Sequence, residues 1–156
     1  MLKIWLLSWL FISLPCFALE GKVVGVSDGD TITVLDAWKT QHKIRLAQID
    51  APEKDQPWGT RSKQSLSDLV FGKIVRVSIT NKDRYGRKIG TVFINNRDVC
   101  EHQVRMGYAW VYAAYARDAH LFSAQHVAQK NKAGLWADGE AVEPWLWRRK
   151  VKNKLK

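Results

Sequence analysis

Cysteine is almost absent from this sequence of 156 residues, which contains only Cys16 and Cys100. Cys16 lies in an N-terminal segment that we expect to be removed, which leaves one thiol. One cysteine cannot form an internal disulfide, so a disulfide-stabilised scaffold is excluded and core packing must hold the domain together. We expect Cys100 to be a small buried residue on a helix, and a reactive nucleophile is the alternative.

A hydrophobic run long enough to span a membrane is also missing. The apolar stretch 4–14 follows Lys3 and precedes Cys16-Phe17-Ala18, which is the layout of a signal peptide. We therefore predict a cleaved signal peptide over residues 1–18, export to the periplasm or the medium, and no membrane insertion after cleavage. A short anchor that is never cut is the alternative.

Acidic residues are few: 15 Asp and Glu face 25 Lys and Arg, for a formal charge of +10. Six of the basic residues and no acidic residue lie in 148–156, so the rest of the mature chain carries only about +3. A basic balance suits nucleic acid or an anionic membrane surface, and charge alone does not choose between them. We expect the tail to contribute to affinity rather than to chemistry.

Alternating and β-branched residues predict five strands: 21–27, 31–35, 42–49, 74–79 and 90–94. Turn and cap signals predict three helices, and these are a segment from Gln56-Pro57 to Gly72, a short helix from Asp98 to Gly107, and 117–132. Strands mostly precede helices, so we predict an α+β domain on a small antiparallel barrel. We place the domain at 19–136 and a basic, irregular tail interrupted by Pro144 at 137–156.

Three short motifs carry residues that barrel packing does not need: Asp28-Gly29-Asp30-Thr31, the segment 45–53 (Arg-Leu-Ala-Gln-Ile-Asp-Ala-Pro-Glu), and Asp83-Arg84-Tyr85-Gly86-Arg87. Strand alternation puts Arg45 and Asp50 on opposite faces. A strand end or bulge near Asp50 is therefore required if the two are to share a site.

These residue types suit phosphodiester hydrolysis. Asp30 and Asp50 offer hard oxygen ligands for Ca²⁺ or Mg²⁺, and Glu53 can accept a proton from water. Arg45 and Arg87 offer fork-shaped donors to phosphate oxygens. Taken singly, each residue also has an ordinary reading as a turn, loop or exposed strand charge.

Taken together and in order, the motifs resemble the staphylococcal (micrococcal) nuclease family. Its signature is D-G-D-T, then R-L-x-x-I-D-x-P-E, then D-[KR]-Y-G-R, and then a helix ending in G-L-W. This chain has them at 28–31, 45–53, 83–87 and 134–136. The resemblance covers about residues 20–136 and implies an OB-type five-stranded antiparallel β-barrel with three α-helices.

The resemblance also implies a reaction. Glu53 takes the role of general base, and Arg45 and Arg87 take the phosphate-binding roles, with Arg87 also assisting the leaving oxygen. The implied substrates are DNA and RNA, which the family cleaves at the bond to the 5′ oxygen to leave 3′-phosphate ends.

For the cofactor, the resemblance implies one Ca²⁺ bound by Asp30, Asp50 and the backbone carbonyl of Ala51. The family usually has threonine at the last position, so hydrogen bonding around the metal differs here. We expect a monomer with no stable protein partner.

Substrate contacts carry over only in part. Tyr85 and Tyr115 are candidate substrate-binding residues, although Ala113 stands where the family places another tyrosine and either tyrosine can serve packing instead. The loop after Glu53 is shorter than in the staphylococcal enzyme, so cleavage preference does not transfer.

Two other function classes stay open. A non-catalytic OB-type nucleic-acid-binding module would use the same barrel without hydrolysis, but it has no need of three acidic residues that repel phosphate. A cationic membrane-surface protein would rest on the tail alone.

Overall fold

The computed structural model describes residues 18–137 and 139–154. The predicted signal peptide lies outside these residues, apart from Ala18 at the start of the first strand. The described part of the chain forms eight strands, which are β1 (Ala18–Asp28), β2 (Thr31–Leu35), β3 (Gln41–Leu46), β4 (Ile49–Asp50), β5 (Ile74–Lys82), β6 (Lys88–Ile94), β7 (Arg97–Asp98) and β8 (Trp110–Val111). It also forms four α-helices, which are α1 (Gly59–Val70), α2 (Val99–Arg105), α3 (Ala119–Lys130) and α4 (Pro144–Lys154).

Five strands close into a barrel. β1 pairs with β2 and with β5, β2 pairs with β3, and β5 pairs with β6, all antiparallel. A parallel pairing of β3 with β6 closes the ring. The α+β class and the OB-type five-stranded barrel predicted from the sequence are therefore confirmed.

Alternation along the strands fills the barrel with branched apolar side chains. The fully buried members are Val23, Ile32, Val34, Ile44, Leu46, Val75, Val77 and Val92. Leu66 and Val70 of α1 and Leu121 of α3 belong to the same core. β4 pairs with β8 in a separate two-stranded antiparallel sheet.

The second helix begins and ends as its sequence signals predicted. The Asp98 carboxylate accepts hydrogen bonds from the backbone N–H groups of Cys100 and Glu101, at 2.7 and 3.2 Å, and Gly107 follows the helix with φ of 73°. Cys100 lies on this helix with 1% of its surface exposed. Burial raises the pKa of its thiol well above the usual range, so the expectation of a small buried residue is confirmed.

The tail was predicted to be irregular and the helices to number three, and both expectations were wrong. Residues 144–154 form α4, and a short 3₁₀ turn covers Gly134–Ala137. Pro144 stands at the first helical position, where its missing N–H costs no hydrogen bond, so it starts a helix rather than interrupting the chain. The Trp145 ring stacks on Tyr112 and gives the helix a docking site on the domain.

The third predicted strand was too long. It was expected to run from 42 to 49, but β3 ends at Leu46 and the chain reverses through Gln48, which has φ of 64°. This is the break that a shared site for Arg45 and Asp50 required. The third helix likewise begins at Ala119 instead of at 117.

None of the helices in the described ranges has the length and apolar composition that crossing a membrane requires.

Candidate active site

The turn between β1 and β2 places the first acidic residue of the site. The backbone N–H of Asp30 donates to the Asp28 carboxylate at 3.1 Å, and the Asp30 carbonyl accepts from Leu46 N at 2.8 Å. These bonds tie the turn to the end of β3. The Asp30 side chain is buried, with its Oδ2 accepting from Ala51 N at 2.7 Å and its Oδ1 accepting from Thr31 Oγ1 at 3.0 Å.

The reversal after β3 brings Arg45 and Asp50 together. Arg45 Nη1 donates across the reversal to the carbonyls of Leu46 and Ile49, at 2.8 and 2.9 Å. Its Nη2 donates to Asp50 Oδ1 at 2.9 Å and lies 3.2 Å from Asp30 Oδ2. One guanidinium therefore fixes the loop and joins two carboxylates that are 20 residues apart in the chain.

A second arginine approaches through the loop between β5 and β6. The Asp83 carboxylate accepts from the backbone N–H groups of Tyr85 and Arg87 and from Arg87 Nε, the last at 2.7 Å. Arg87 Nη1 lies 3.4 Å from Thr31 Oγ1, which itself donates to Asp30. The parallel pairing of β3 with β6, which matches Arg45 with Ile89, sets this loop beside the site.

Glu53 stands at the solvent side of the cluster, after Pro52. Its backbone N–H donates to Gln56 Oε1 at 3.1 Å, and its side chain is 38% exposed. Gln56 in turn donates from Nε2 to the carbonyl of Val142 at 2.6 Å. The loop that carries Glu53 is thereby tied to the segment that leads into α4.

Burial dominates the electrostatics of Asp30. Desolvation raises its pKa to about 7, against the opposing charge of Arg45, and the neighbouring carboxylates of Asp28 and Asp50 add to the rise. Because the Asp30 carboxylate is buried, a further cation beside it would stabilise its ionised form. Desolvation also acts to raise the pKa of Asp83, but the hydrogen bonds from Arg87 and Tyr85 outweigh it and hold that pKa below its usual range.

The donors at this place are hard oxygens. Asp30 and Asp50 are both buried and both within 3.2 Å of one Arg45 nitrogen, which fits the ligand chemistry of Ca²⁺. Across residues 18–137 and 139–154 no group of three or more His, Cys, Asp or Glu side chains is placed to hold a metal. A metal here would therefore complete its shell with water and with a backbone oxygen, for which Ala51, next to Asp50, is the predicted source.

The two tyrosines singled out from the sequence are both on the surface. Tyr85 is 70% exposed, and the guanidinium groups of Arg84 and Arg87 lie 4.9 and 5.8 Å from its ring centre. Tyr115 is 67% exposed and meets the edge of the Tyr112 ring, with 4.9 Å between ring centres. Both rings are accessible to a substrate, and Tyr85 lies directly beside a site arginine.

Sequence reasoning missed a third arginine. Arg148 of α4 donates from Nη1 to Glu53 Oε1 at 2.6 Å and from Nη2 to Asp50 Oδ2 at 2.8 Å. The sequence did not predict that Arg148 lies in the site, because the basic run 148–156 has the composition of a solvated tail. The available signal was Pro144 followed by Trp145 and Trp147, which is typical of a helix start with an aromatic docking face.

The structure is a closed OB-type barrel that carries a cluster of arginines and carboxylates, and comparison with known proteins shows its family. Residues 43–138 match the family model described as staphylococcal nuclease homologue. The chain belongs to the staphylococcal nuclease family.

Several relatives cover most of the chain. An uncharacterized endonuclease of Haemophilus influenzae is 45% identical over 131 residues, which are 84% of this chain and 74% of that protein. An uncharacterized endonuclease of Escherichia coli O157:H7 is 43% identical over 94% of each chain. A micrococcal nuclease of Shigella flexneri is 40% identical over 92% of this chain and 89% of that protein.

Proposed function

We propose that this chain is an exported, calcium-dependent endonuclease that hydrolyses phosphodiester bonds in DNA and RNA and leaves 3′-phosphate ends. The observation that carries the proposal is the pair of buried carboxylates, Asp30 and Asp50, joined by Arg45. Burying two like charges side by side is costly unless cations neutralise them.

Asp30 and Asp50, with the carbonyl of Ala51, are the residues that would hold the ion. When bound, Ca²⁺ would supply positive charge next to the phosphate and orient a water molecule. A cation held by these carboxylates would compete with Arg45 Nη2 for their oxygens, and Arg45 Nη2 would then be available to donate to the substrate.

The arginines neutralise charge on the phosphate. Arg45 and Arg87 donate to its non-bridging oxygens, whose negative charge grows as water attacks, and donors aimed in advance contribute about 10²–10³ each in rate. The hydrogen bonds from Arg87 to Asp83 and the backbone bonds of Arg45 keep both guanidinium groups aimed.

Glu53 moves the proton. It accepts a proton from the attacking water as the new P–O bond forms, a role worth about 10²–10⁴ in rate. The bond between phosphorus and the 5′ oxygen breaks, and Arg87 stabilises the negative charge on that leaving oxygen until a proton from solvent reaches it. One product then ends in a 3′-phosphate and the other in a 5′-hydroxyl.

The non-catalytic binding module is the less favoured reading. Asp30, Asp50 and Glu53 place three negative charges where phosphate would bind, and these repel a nucleic acid unless a metal is present. A pure binder gains nothing from them.

The experiment is digestion of single-stranded DNA, double-stranded DNA and RNA with calcium, with chelator, and with calcium restored after chelation. We expect cleavage only with calcium, and products that mass spectrometry identifies as 3′-phosphate ends. Full activity under chelation would contradict the metal site, and 5′-phosphate ends would contradict the direction of cleavage.

Export is tested separately. N-terminal sequencing of the exported protein should give Leu19 as the first residue, and size-exclusion chromatography with light scattering should give the mass of a monomer. A retained N-terminal segment would instead support an anchored protein.

A further inference from the structure

The C-terminal helix α4 is docked so that Arg148 points at the proposed catalytic carboxylates. The Trp145 ring lies parallel to Tyr112, with 5.0 Å between ring centres and 9° between ring planes. It also meets Trp110 edge-on at 6.1 Å. These aromatic contacts, with the bond from Gln56 to the Val142 carbonyl, hold the first turn of the helix and keep Arg148 within reach of the site.

The guanidinium of Arg148 uses the same oxygens that a metal would need. Asp50 Oδ1 accepts from Arg45 at 2.9 Å and from Arg148 Nη1 at 3.3 Å, and Oδ2 accepts from Arg148 Nη2 at 2.8 Å. A carboxylate oxygen has two lone pairs. Both lone pairs of Oδ1 and one lone pair of Oδ2 are therefore engaged, and two of these three bonds come from Arg148, so an ion at this carboxylate would compete mainly with Arg148.

The charges of the cluster point the same way. When all three are ionised, Asp30, Asp50 and Glu53 contribute three negative charges, and the two guanidinium groups that contact them contribute two positive charges. A divalent cation changes the charge that Arg148 faces from −2 to 0, so the net attraction that holds Arg148 on the carboxylates is lost, and the sum with Arg148 included becomes +1. This net charge of +1 balances the single negative charge of one phosphodiester group.

We infer that Arg148 is a third substrate-binding arginine of this active site. Arg148 occupies Asp50 and Glu53 until a metal ion displaces it, and Arg148 then binds the substrate phosphate. The inference rests on the proposed calcium-dependent function. The Arg148 side chain is 44% exposed, so it can turn toward substrate without undocking α4. Its planar fork matches two phosphate oxygens, as lysine does not.

The test is calorimetric titration of calcium into the purified protein, with Arg148→Ala, Arg148→Lys and Arg149→Ala variants. Arg148→Ala should bind calcium about five- to tenfold more tightly than wild type, because the competing ion pairs are gone. Arg149→Ala removes the same charge one residue further on the same helix and should change calcium affinity by no more than about twofold. Arg148→Lys should fall between wild type and Arg148→Ala.

The second readout separates substrate binding from chemistry. With saturating calcium and a short oligonucleotide, Arg148→Ala should raise KM by about tenfold, since it loses a charge-assisted hydrogen bond, while kcat changes much less. The difference in tryptophan fluorescence between each protein and its Trp145→Phe counterpart isolates the signal of Trp145, and this difference checks that α4 stays docked on Tyr112. A merely structural role would not tighten calcium binding.

The outcomes are distinguishable. Equal calcium affinity of Arg148→Ala and wild type would overturn the role of Arg148 while leaving the proposed function intact. An unchanged KM would also overturn it, because the displaced arginine would then have no target. The absence of calcium binding in wild type and in every variant would overturn the metal site itself.

Discussion

Arg45 and Asp50 are joined by a 2.9 Å hydrogen bond from Nη2 to Oδ1. In a continuous strand these residues, five apart, would face opposite sides of the sheet. The left-handed conformation of Gln48 turns the chain between them. The backbone bonds of Arg45 to Leu46 and Ile49 then stabilise the turn that makes the contact possible.

Replacing Arg45 should harm both stability and rate. Its side chain is largely buried and contacts two carboxylates, so Arg45→Ala should lower the free energy of unfolding by about 3–5 kcal/mol. Arg45→Lys keeps the charge but cannot reach two carbonyls and two carboxylates at once, and its kcat should fall by about 10²–10³. Urea unfolding and single-turnover cleavage measure the two effects, and an Arg45→Lys variant with the wild-type kcat would refute the need for the fork.

Asp83 should act through Arg87. Asp83→Asn removes the negative partner of Arg87 Nε, so we expect lower kcat with a folded protein, and partial recovery with Asp83→Glu. Because the pKa of Asp83 is held below its usual range, its contribution to stability is present above the unfolded pKa and is lost as the pH falls through the folded pKa. Unfolding measured from pH 7 to pH 3 should show a shallower loss at acid pH for Asp83→Asn than for wild type, and parallel curves would contradict this.

Gly29 lies between two acidic residues in a turn with no room for a side chain. A Cβ there would overlap Ser62 Oγ and lie 2.8 Å from the Ala51 Cβ. Gly29→Ala should lower the free energy of unfolding by about 1–3 kcal/mol and shift Asp30, thereby weakening calcium binding. Gly139 has no atom within 4 Å of such a Cβ, so Gly139→Ala is the matched control and should stay within about 0.5 kcal/mol of wild type. Equal free energies of unfolding for the two variants would contradict this expectation, because the turn would then accommodate a side chain at Gly29.

Much of the barrel could be predicted because its signals are local. The strand Thr31–Leu35, which alternates between buried and less buried positions from Ile32 onward, was predicted to the residue. The Asp98 cap and the Gly107 stop lie next to the helix that they define. The end of β3 was harder to predict, because neither Ala47 nor Gln48 is a residue type that indicates a left-handed turn. Only the need to bring Arg45 to Asp50 indicated it.

The sequence predicted the part of the candidate site that the motifs contain. It did not predict the part that depends on contacts between distant residues. Arg45, Asp30 and Asp50 meet as expected. Arg148 does not belong to any motif, and it reaches Asp50 across 98 residues of chain because Trp145 docks on Tyr112. Such tertiary docking cannot be read from composition, which described the same segment as a solvated basic tail.

The most direct test of the account is the single-turnover cleavage rate of Glu53→Gln beside wild type, in saturating calcium and in chelator, with thermal melts to show that both are folded. The substitution keeps the size of the side chain and removes its ability to accept the proton from water. We predict a loss of about 10²–10⁴ in rate for Glu53→Gln and no cleavage by either protein in chelator. Equal rates for the two proteins in calcium would contradict the assignment of Glu53 as the general base.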